Sequence, residues 1–130
     1  MTRRFFFDAS LAGVARILAV DHPEITYPGN GVWQLPQNAP DEDWLEVVGR
    51  NGWCAVIRDK RIRRRPSENA ALERFRVRVV NVAVRHNLTS SGYVDLLERN
   101  WTRLEKVLAE PPAYYHLTKG GLARLHGYSA

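Results

Sequence analysis

Residues 5–18 read FFFDASLAGVARIL, and two different periods follow one another in this stretch. The aromatic run within Arg3–Phe7 ends abruptly at Asp8, which is typical of a short buried strand. Apolar residues then recur at i, i+3, i+4 and i+7, the spacing of one helix face: Leu11, Val14, Ala15 and Leu18. The stretch therefore predicts a strand that passes directly into a helix.

The same alternation of strand and helix patterns continues along the chain. Further strands are predicted near Glu24–Tyr27 and at Trp53–Ile57, Val77–Val82 and Ala113–Thr118. Further helices are predicted from Asp41 to Gly49 or Gly52, from Pro66 to Glu73, and from Ser90 or Ser91 to Pro111-Pro112. Strands that alternate with helices favour a three-layer α/β/α fold with a mostly parallel sheet of about 4–5 strands.

Two of these helices carry a clear buried stripe. In the second helix the stripe is Trp44, Val47 and Val48. In the last helix it is Tyr93, Leu97, Trp101, Leu104 and Leu108, which predicts one unbroken helix, the longest of the chain. Residues 1–119 are expected to form one domain, and residues 120–130 a polar, glycine-containing tail that is partly flexible.

Composition narrows the class of protein. A chain of 130 residues with 45% hydrophobic content suits one globular domain. The single cysteine, Cys54, excludes a disulfide framework within the chain, and the four histidines lack the spacing of zinc ligands. No apolar run is long enough to span a membrane, and Asp8 and Arg16 interrupt the N-terminal run that would otherwise resemble a signal peptide. A cytoplasmic location is therefore expected.

The net charge is concentrated in one segment. Arg58–Arg65 reads RDKRIRRR and holds six basic residues and one acid, so its net charge equals the +5 of the whole chain. Such a patch favours a polyanionic partner, although a solvated loop without a partner is the alternative.

Three acids are predicted to meet at one edge of the sheet. Asp8 and Asp59 each follow a predicted strand, and Asp41 begins the helix that runs toward the central strand. Converging carboxylates repel one another unless a cation shares them, and carboxylate oxygens suit Mg²⁺ or Mn²⁺. A divalent cation beside a phosphodiester can promote its hydrolysis, and neighbouring arginines can hold the flanking phosphates.

Each acid also has a simpler interpretation. Asp8 and Asp41 can cap their helices, and Asp59 can pair with its own arginine neighbours. Glu42 and Asp43 lie in a first helical turn, where acids favour the helix dipole, and we count them as further candidate metal ligands.

The motifs together resemble a known family. FFFD at residues 5–8, PDEDW at 40–44 and GWCAVIRDKRIRRRP at 52–66 resemble the PIN-like ribonuclease domain, in the branch of VapC-type toxins from toxin–antitoxin pairs. NLTSSGYVDLLERNWTRLEKVL at 87–108 and AYYHLTK at 113–119 are similar to the same branch, so the likeness covers residues 3–119.

This resemblance implies a Mg²⁺-dependent endoribonuclease with an antitoxin as partner. Asp8, Asp41 and Asp59 match the acids of the family, and Lys60 and Arg61 match its basic positions. Many family members carry a fourth acid near the end of the next strand. Residues 82–87 read VAVRHN here and contain no carboxylate, so Asn87 or a water molecule would take that place.

The sequence thus predicts the toxin of a type II toxin–antitoxin pair, which cleaves RNA with Mg²⁺ or Mn²⁺ held by Asp8, Asp41 and Asp59. The RNA backbone is expected to be held by Lys60, Arg61 and Arg63, Arg64 and Arg65. The expected partners are RNA and the antitoxin, with a homodimer left open. The alternative is a module without catalytic activity that binds nucleic acid or an acidic protein through Arg58–Arg65.

Overall fold

The computed structural model describes residues 4–29, 35, 39–58 and 66–127. These residues form six strands, namely β1 (Phe5–Phe7), β2 (Ile25–Thr26), β3 (Cys54–Ile57), β4 (Arg78–Val82), β5 (Ala113–Thr118) and β6 (Gly121–Gly127). They also form five α-helices, namely α1 (Ala12–Leu18), α2 (Asp41–Asn51), α3 (Pro66–Phe75), α4 (Ser90–Arg99) and α5 (Trp101–Val107). Among them, no helix combines the length and the apolar character that a membrane crossing requires.

All six strands belong to one sheet, in the order β2-β1-β3-β4-β5-β6. Every neighbouring pair is parallel except β5 and β6, which are antiparallel. Because β1, β3, β4 and β5 run in the same direction, their carboxyl ends share one edge of the sheet. The segments that follow these strands therefore lie along that edge.

Side chains of successive strand residues point to opposite faces of the sheet, and each face has its own core. Phe5 and Phe7 pack with α1, α4 and α5, and the Phe5 ring lies 4.9 Å from that of Trp101. Phe6 packs with α2 and α3, and its ring lies 5.2 Å from that of Trp44. Burial on both faces explains why β1 and β3 are continuous apolar runs, and it confirms the predicted three layers.

The predicted long helix is wrong, because the chain forms two helices, α4 and α5, separated at Asn100. The Asn100 side chain is buried, and its Nδ2 donates a hydrogen bond of 2.8 Å to the carbonyl oxygen of Leu96. Its own backbone N–H bonds to Leu97, three residues back, with φ −108° and ψ 9°. A side chain that competes for a helix carbonyl in this way favours a local break.

The expected tail and strand number also need correction. Gly121–Gly127 is strand β6, which pairs with β5 and raises the sheet to six strands from the predicted 4–5. The turn between them leads into Gly121, the first residue of β6, which has φ +123°, a conformation that other residues rarely adopt. The pairing depends on backbone hydrogen bonds, so the polar composition of this segment did not reveal it.

Helix α2 shows a smaller difference. Trp44 and Val48 are buried as predicted, but Leu45 is fully buried while Val47 is only partly so. Gly49 lies within the helix, and Gly52 ends it at φ +68°.

Candidate functional site

Asp8 lies at the carboxyl end of β1 and is tied to the central strand. Its backbone N–H donates to the carbonyl oxygen of Val56 in β3, at 3.2 Å. One carboxylate oxygen, Oδ1, accepts a 2.5 Å hydrogen bond from the Ser10 hydroxyl. Asp8 precedes a short 3-10 turn, but its side chain makes no capping bond to that turn, so the capping interpretation does not explain this carboxylate.

Asp41 is the first residue of α2, whose N-cap is Pro40. Asp41 Oδ1 accepts a 2.8 Å hydrogen bond from the indole N–H of Trp44, three residues along the helix. Trp44 is only 6% exposed and packs against Phe6 of β1. The Asp41 carboxylate is therefore linked through a buried indole to β1, the strand that Asp8 directly follows.

Glu42 and Asp43 line a groove whose described residues include neither Asp8 nor Asp41. Both side chains are exposed, and the groove, of about 350 Å³, lies between α2 and α3. Its described residues also include Glu46 and Arg74. The structure thus places these two acids on the helix surface.

Several predicted site residues lie outside the described residues, namely Asp59, Lys60, Arg61, Arg63, Arg64 and Arg65. Among the residues that the structure does describe, no group of three or more His, Cys, Asp or Glu side chains could hold a metal ion. Two of the three predicted ligands are described, namely Asp8 and Asp41. Their carboxylate oxygens are the kind of ligand that a hard cation such as Mg²⁺ prefers.

Arg58, the residue directly after β3, has a structural role that its charge did not reveal. Its guanidinium donates hydrogen bonds to the carbonyl oxygen of Val82, at 2.8 Å, and to Asn87 Oδ1, at 3.1 Å. It also lies 5.7 Å from the centre of the Tyr93 ring, a cation–π geometry. Arg58 therefore tethers the end of β3 to the segment between β4 and α4.

Asn87 was predicted to take the place of a fourth acid. Its side chain is exposed, and its Oδ1 accepts the bond from Arg58 and a longer one of 3.5 Å from the Tyr93 hydroxyl. The amide oxygen is thus engaged by the residues that anchor its own segment.

A buried polar pair near this edge is not predicted from the sequence. Asn81, at 3% exposure in β4, donates a 2.9 Å hydrogen bond from Nδ2 to the hydroxyl of the fully buried Tyr114 in β5. The signal was the asparagine that interrupts the valine strand VVNV. Because both side chains are buried, their hydrogen bond connects β4 and β5 inside the sheet.

Comparison with known families identifies the fold independently. A family model described as "PIN like domain" matches residues 3–83, more than half of the chain, and the match includes Asp8, Asp41 and Asp59. Comparisons with curated proteins and with solved structures returned no match. The matched region runs from β1 to the end of β4 and so contains β1, which Asp8 follows, and the strands beside it. On this match and on the α/β/α architecture, the chain belongs to the PIN-like domain family.

Proposed function

We propose that this PIN-like domain is a metal-dependent endoribonuclease that acts as the toxin of a type II toxin–antitoxin pair. PIN-like domains are generally nuclease folds, which supports phosphodiester hydrolysis as the general class of reaction. The observation that carries the proposal is the placement of two acids. Asp8 directly follows β1, and Asp41 accepts a hydrogen bond from Trp44, which packs on that strand.

In the proposed mechanism, Asp8, Asp41 and Asp59 hold the divalent cation. Bound Mg²⁺ or Mn²⁺ supplies Lewis-acid chemistry that polarises the phosphodiester and offsets the charge of the leaving oxygen. Ser10 and Trp44 orient Asp8 and Asp41, because each donates a hydrogen bond to one oxygen of the carboxylate and so restricts its rotation.

The basic segment has a separate role in the proposal. Lys60, Arg61 and Arg63–Arg65 hold the RNA backbone, since their segment, Arg58–Arg65, carries a formal charge equal to the net charge of the whole chain. Arg58 is excluded from that role, because its guanidinium is engaged by Val82 and Asn87.

The test is cleavage of single-stranded RNA by the purified chain with Mg²⁺ or Mn²⁺, compared with Asp8→Asn and Asp41→Asn. Both variants keep the size of the side chain and remove the charge. Asp95→Asn is the matched control, because Asp95 is an exposed acid on α4 that pairs with Arg99 in the next turn. We expect each site variant to lose at least about 10–100-fold in rate or metal affinity, and the control to lose nothing.

Two results would contradict the proposal. Cleavage by Asp8→Asn at the rate of the control would remove Asp8 from the mechanism. RNA binding without cleavage, unaffected by EDTA and by Asp8→Asn, would favour the alternative of a nucleic-acid-binding module.

The toxin role and the antitoxin form a second part of the proposal. They are supported by the likeness of residues 87–108 and 113–119 to VapC-type toxins. Induced expression in a bacterial host should arrest growth, Asp8→Asn should not, and co-expression of the cognate antitoxin should restore growth. Growth arrest of equal depth by the wild type and by Asp8→Asn would separate toxicity from the nuclease site.

A further inference from the structure

A groove of about 400 Å³ opens where β4 and β5 end. It is lined by residues of the segment after β4, including Val84, Arg85, His86 and Leu88, and by the β5–β6 turn at residues 118–120. Its volume lies within the range of pockets that hold small organic ligands, about 300–1,000 Å³. The groove therefore has room for one nucleotide-sized group.

The lining combines an apolar base with a basic rim. Val84 is 4% exposed, and the partly buried Leu88 packs against the same core. Arg85, His86 and Lys119 are exposed. The described lining residues include no acid, and neither Arg85 nor Lys119 is in an ion pair within the part of the chain that the structure describes. A ligand with an apolar planar body and a negative charge complements such a surface.

The groove and the candidate site lie along the same edge of the sheet. Arg58, at the end of β3, bonds to Val82 and Asn87, so it holds both ends of the segment that carries Val84 and Arg85. In the sheet β1 and β4 are separated by β3 alone, which places their ends about 10 Å apart at the usual strand spacing. One RNA strand bound at Asp8 can therefore reach the groove with a neighbouring nucleotide.

We propose that this groove is a nucleotide subsite for single-stranded RNA, with a base against Val84 and Leu88 and its phosphate against Arg85 and Lys119. The inference rests on the proposed function and specifies how that site holds its substrate. Single-stranded RNA presents splayed bases and phosphates together, which matches an apolar surface edged by cations. An acidic peptide with apolar side chains is the competing occupant, and the experiments below distinguish it from RNA.

The test uses the full chain in EDTA, so that binding is measured without cleavage. Fluorescence anisotropy of a labelled single-stranded oligoribonucleotide compares the wild type with Arg85→Ala/Lys119→Ala at several salt concentrations. The matched control is Arg16→Ala/Lys106→Ala, which removes two exposed cations from helices away from the groove. We expect a loss of roughly tenfold or more in affinity and a fall in the salt slope of about 0.7 for each phosphate that is no longer neutralised, with neither change in the control.

A second comparison tests the base-binding surface. Leu88→Ser is measured with the same oligoribonucleotide and with an abasic version, and Leu108→Ser is its control, since Leu108 is also partly buried against that core and follows α5. Leu88→Ser should reduce the preference for the base-bearing strand several-fold, because serine offers the base no apolar surface of comparable size. Thermal unfolding of each variant checks that it folds.

The outcomes separate the two proposals. If the wild type binds and cleaves RNA and the groove variants bind like their controls, the subsite is refuted and the nuclease stands. If the wild type neither binds nor cleaves RNA, both proposals fail. If the groove variants keep RNA binding but no longer bind the antitoxin, the groove is a binding surface for that protein and the subsite is refuted.

Discussion

Replacement of Arg58 by methionine should destabilise the protein, although surface arginines usually contribute little. The change keeps the aliphatic stem and removes the guanidinium. That group makes two hydrogen bonds, to the Val82 carbonyl at 2.8 Å and to Asn87 at 3.1 Å, and lies over the Tyr93 ring. The residue is only partly exposed, so these interactions are not fully screened by water.

The three interactions differ in what their removal costs. Val82 is fully buried, and a buried carbonyl without its donor costs about 1–3 kcal/mol. Asn87 is exposed, so water replaces its partner at little cost. The cation–π interaction adds about 0.5–1 kcal/mol at a partly solvated site. Since partial exposure of the arginine reduces the total, we expect a decrease of about 1–3 kcal/mol in the free energy of unfolding.

Equilibrium unfolding in urea measures this decrease. Arg16→Met is the matched control, since Arg16 is an exposed arginine of α1 and the change in charge is the same. Arg58→Lys should fall between the wild type and Arg58→Met, because an ammonium group cannot reproduce both hydrogen bonds in the same geometry. If Arg58→Met unfolds within about 0.5 kcal/mol of Arg16→Met, the tether contributes nothing and the assignment is wrong.

Three further predictions concern a close backbone contact of α2, the hydrogen bond to Asp41 and the buried thiol of Cys54. Gly49→Ala would force its Cβ into the backbone oxygen of Phe75 at the end of α3 and should lower the free energy of unfolding by about 1–3 kcal/mol. At Gly13 an added Cβ meets nothing within 4 Å, so Gly13→Ala should raise the free energy of unfolding by about 0.5–1 kcal/mol. Equal urea midpoints of the two variants would refute this contrast. Trp44→Phe removes the N–H donor to Asp41 and should raise the Mg²⁺ concentration for half-maximal cleavage by about 10–100-fold. An unchanged Mg²⁺ dependence would show that this hydrogen bond does not position the carboxylate. Burial raises the pKa of the Cys54 thiol from 9.0 to about 12, so the folded state favours the neutral thiol. The contribution of this group to the free energy of unfolding should therefore be constant below about pH 9 and decline from pH 9 to 12. In Cys54→Ala, the free energy of unfolding should lack this contribution to its decline at alkaline pH. The same pH dependence in the variant and the wild type would contradict the prediction.

The elements that the sequence predicted best are those set by local pattern. The face Leu11, Val14, Ala15 and Leu18 is buried as expected, because helical spacing alone brings these residues to one side. The start of α2 at Asp41 was correct, and the three-residue spacing to Trp44 explains their hydrogen bond. The three layers followed from the alternation of such local units.

The charge count was less reliable for individual residues. Arg58 was grouped with the basic segment, but its guanidinium is engaged by Val82 and Asn87, which are 24 and 29 residues away. No count of charges can separate a tethered arginine from a solvated one, because the difference depends on which carbonyl the fold brings near it.

By itself, the sequence determined the strand–helix alternation and the acids that follow or begin those elements, because hydrophobic period and turn position act over a few residues. Only the tertiary structure decided the break at Asn100, the pairing of β6 with β5 and the hydrogen bond between Asn81 and Tyr114. Each depends on hydrogen-bonding groups that must find partners once they are buried, and the available partners are set by how distant segments pack together.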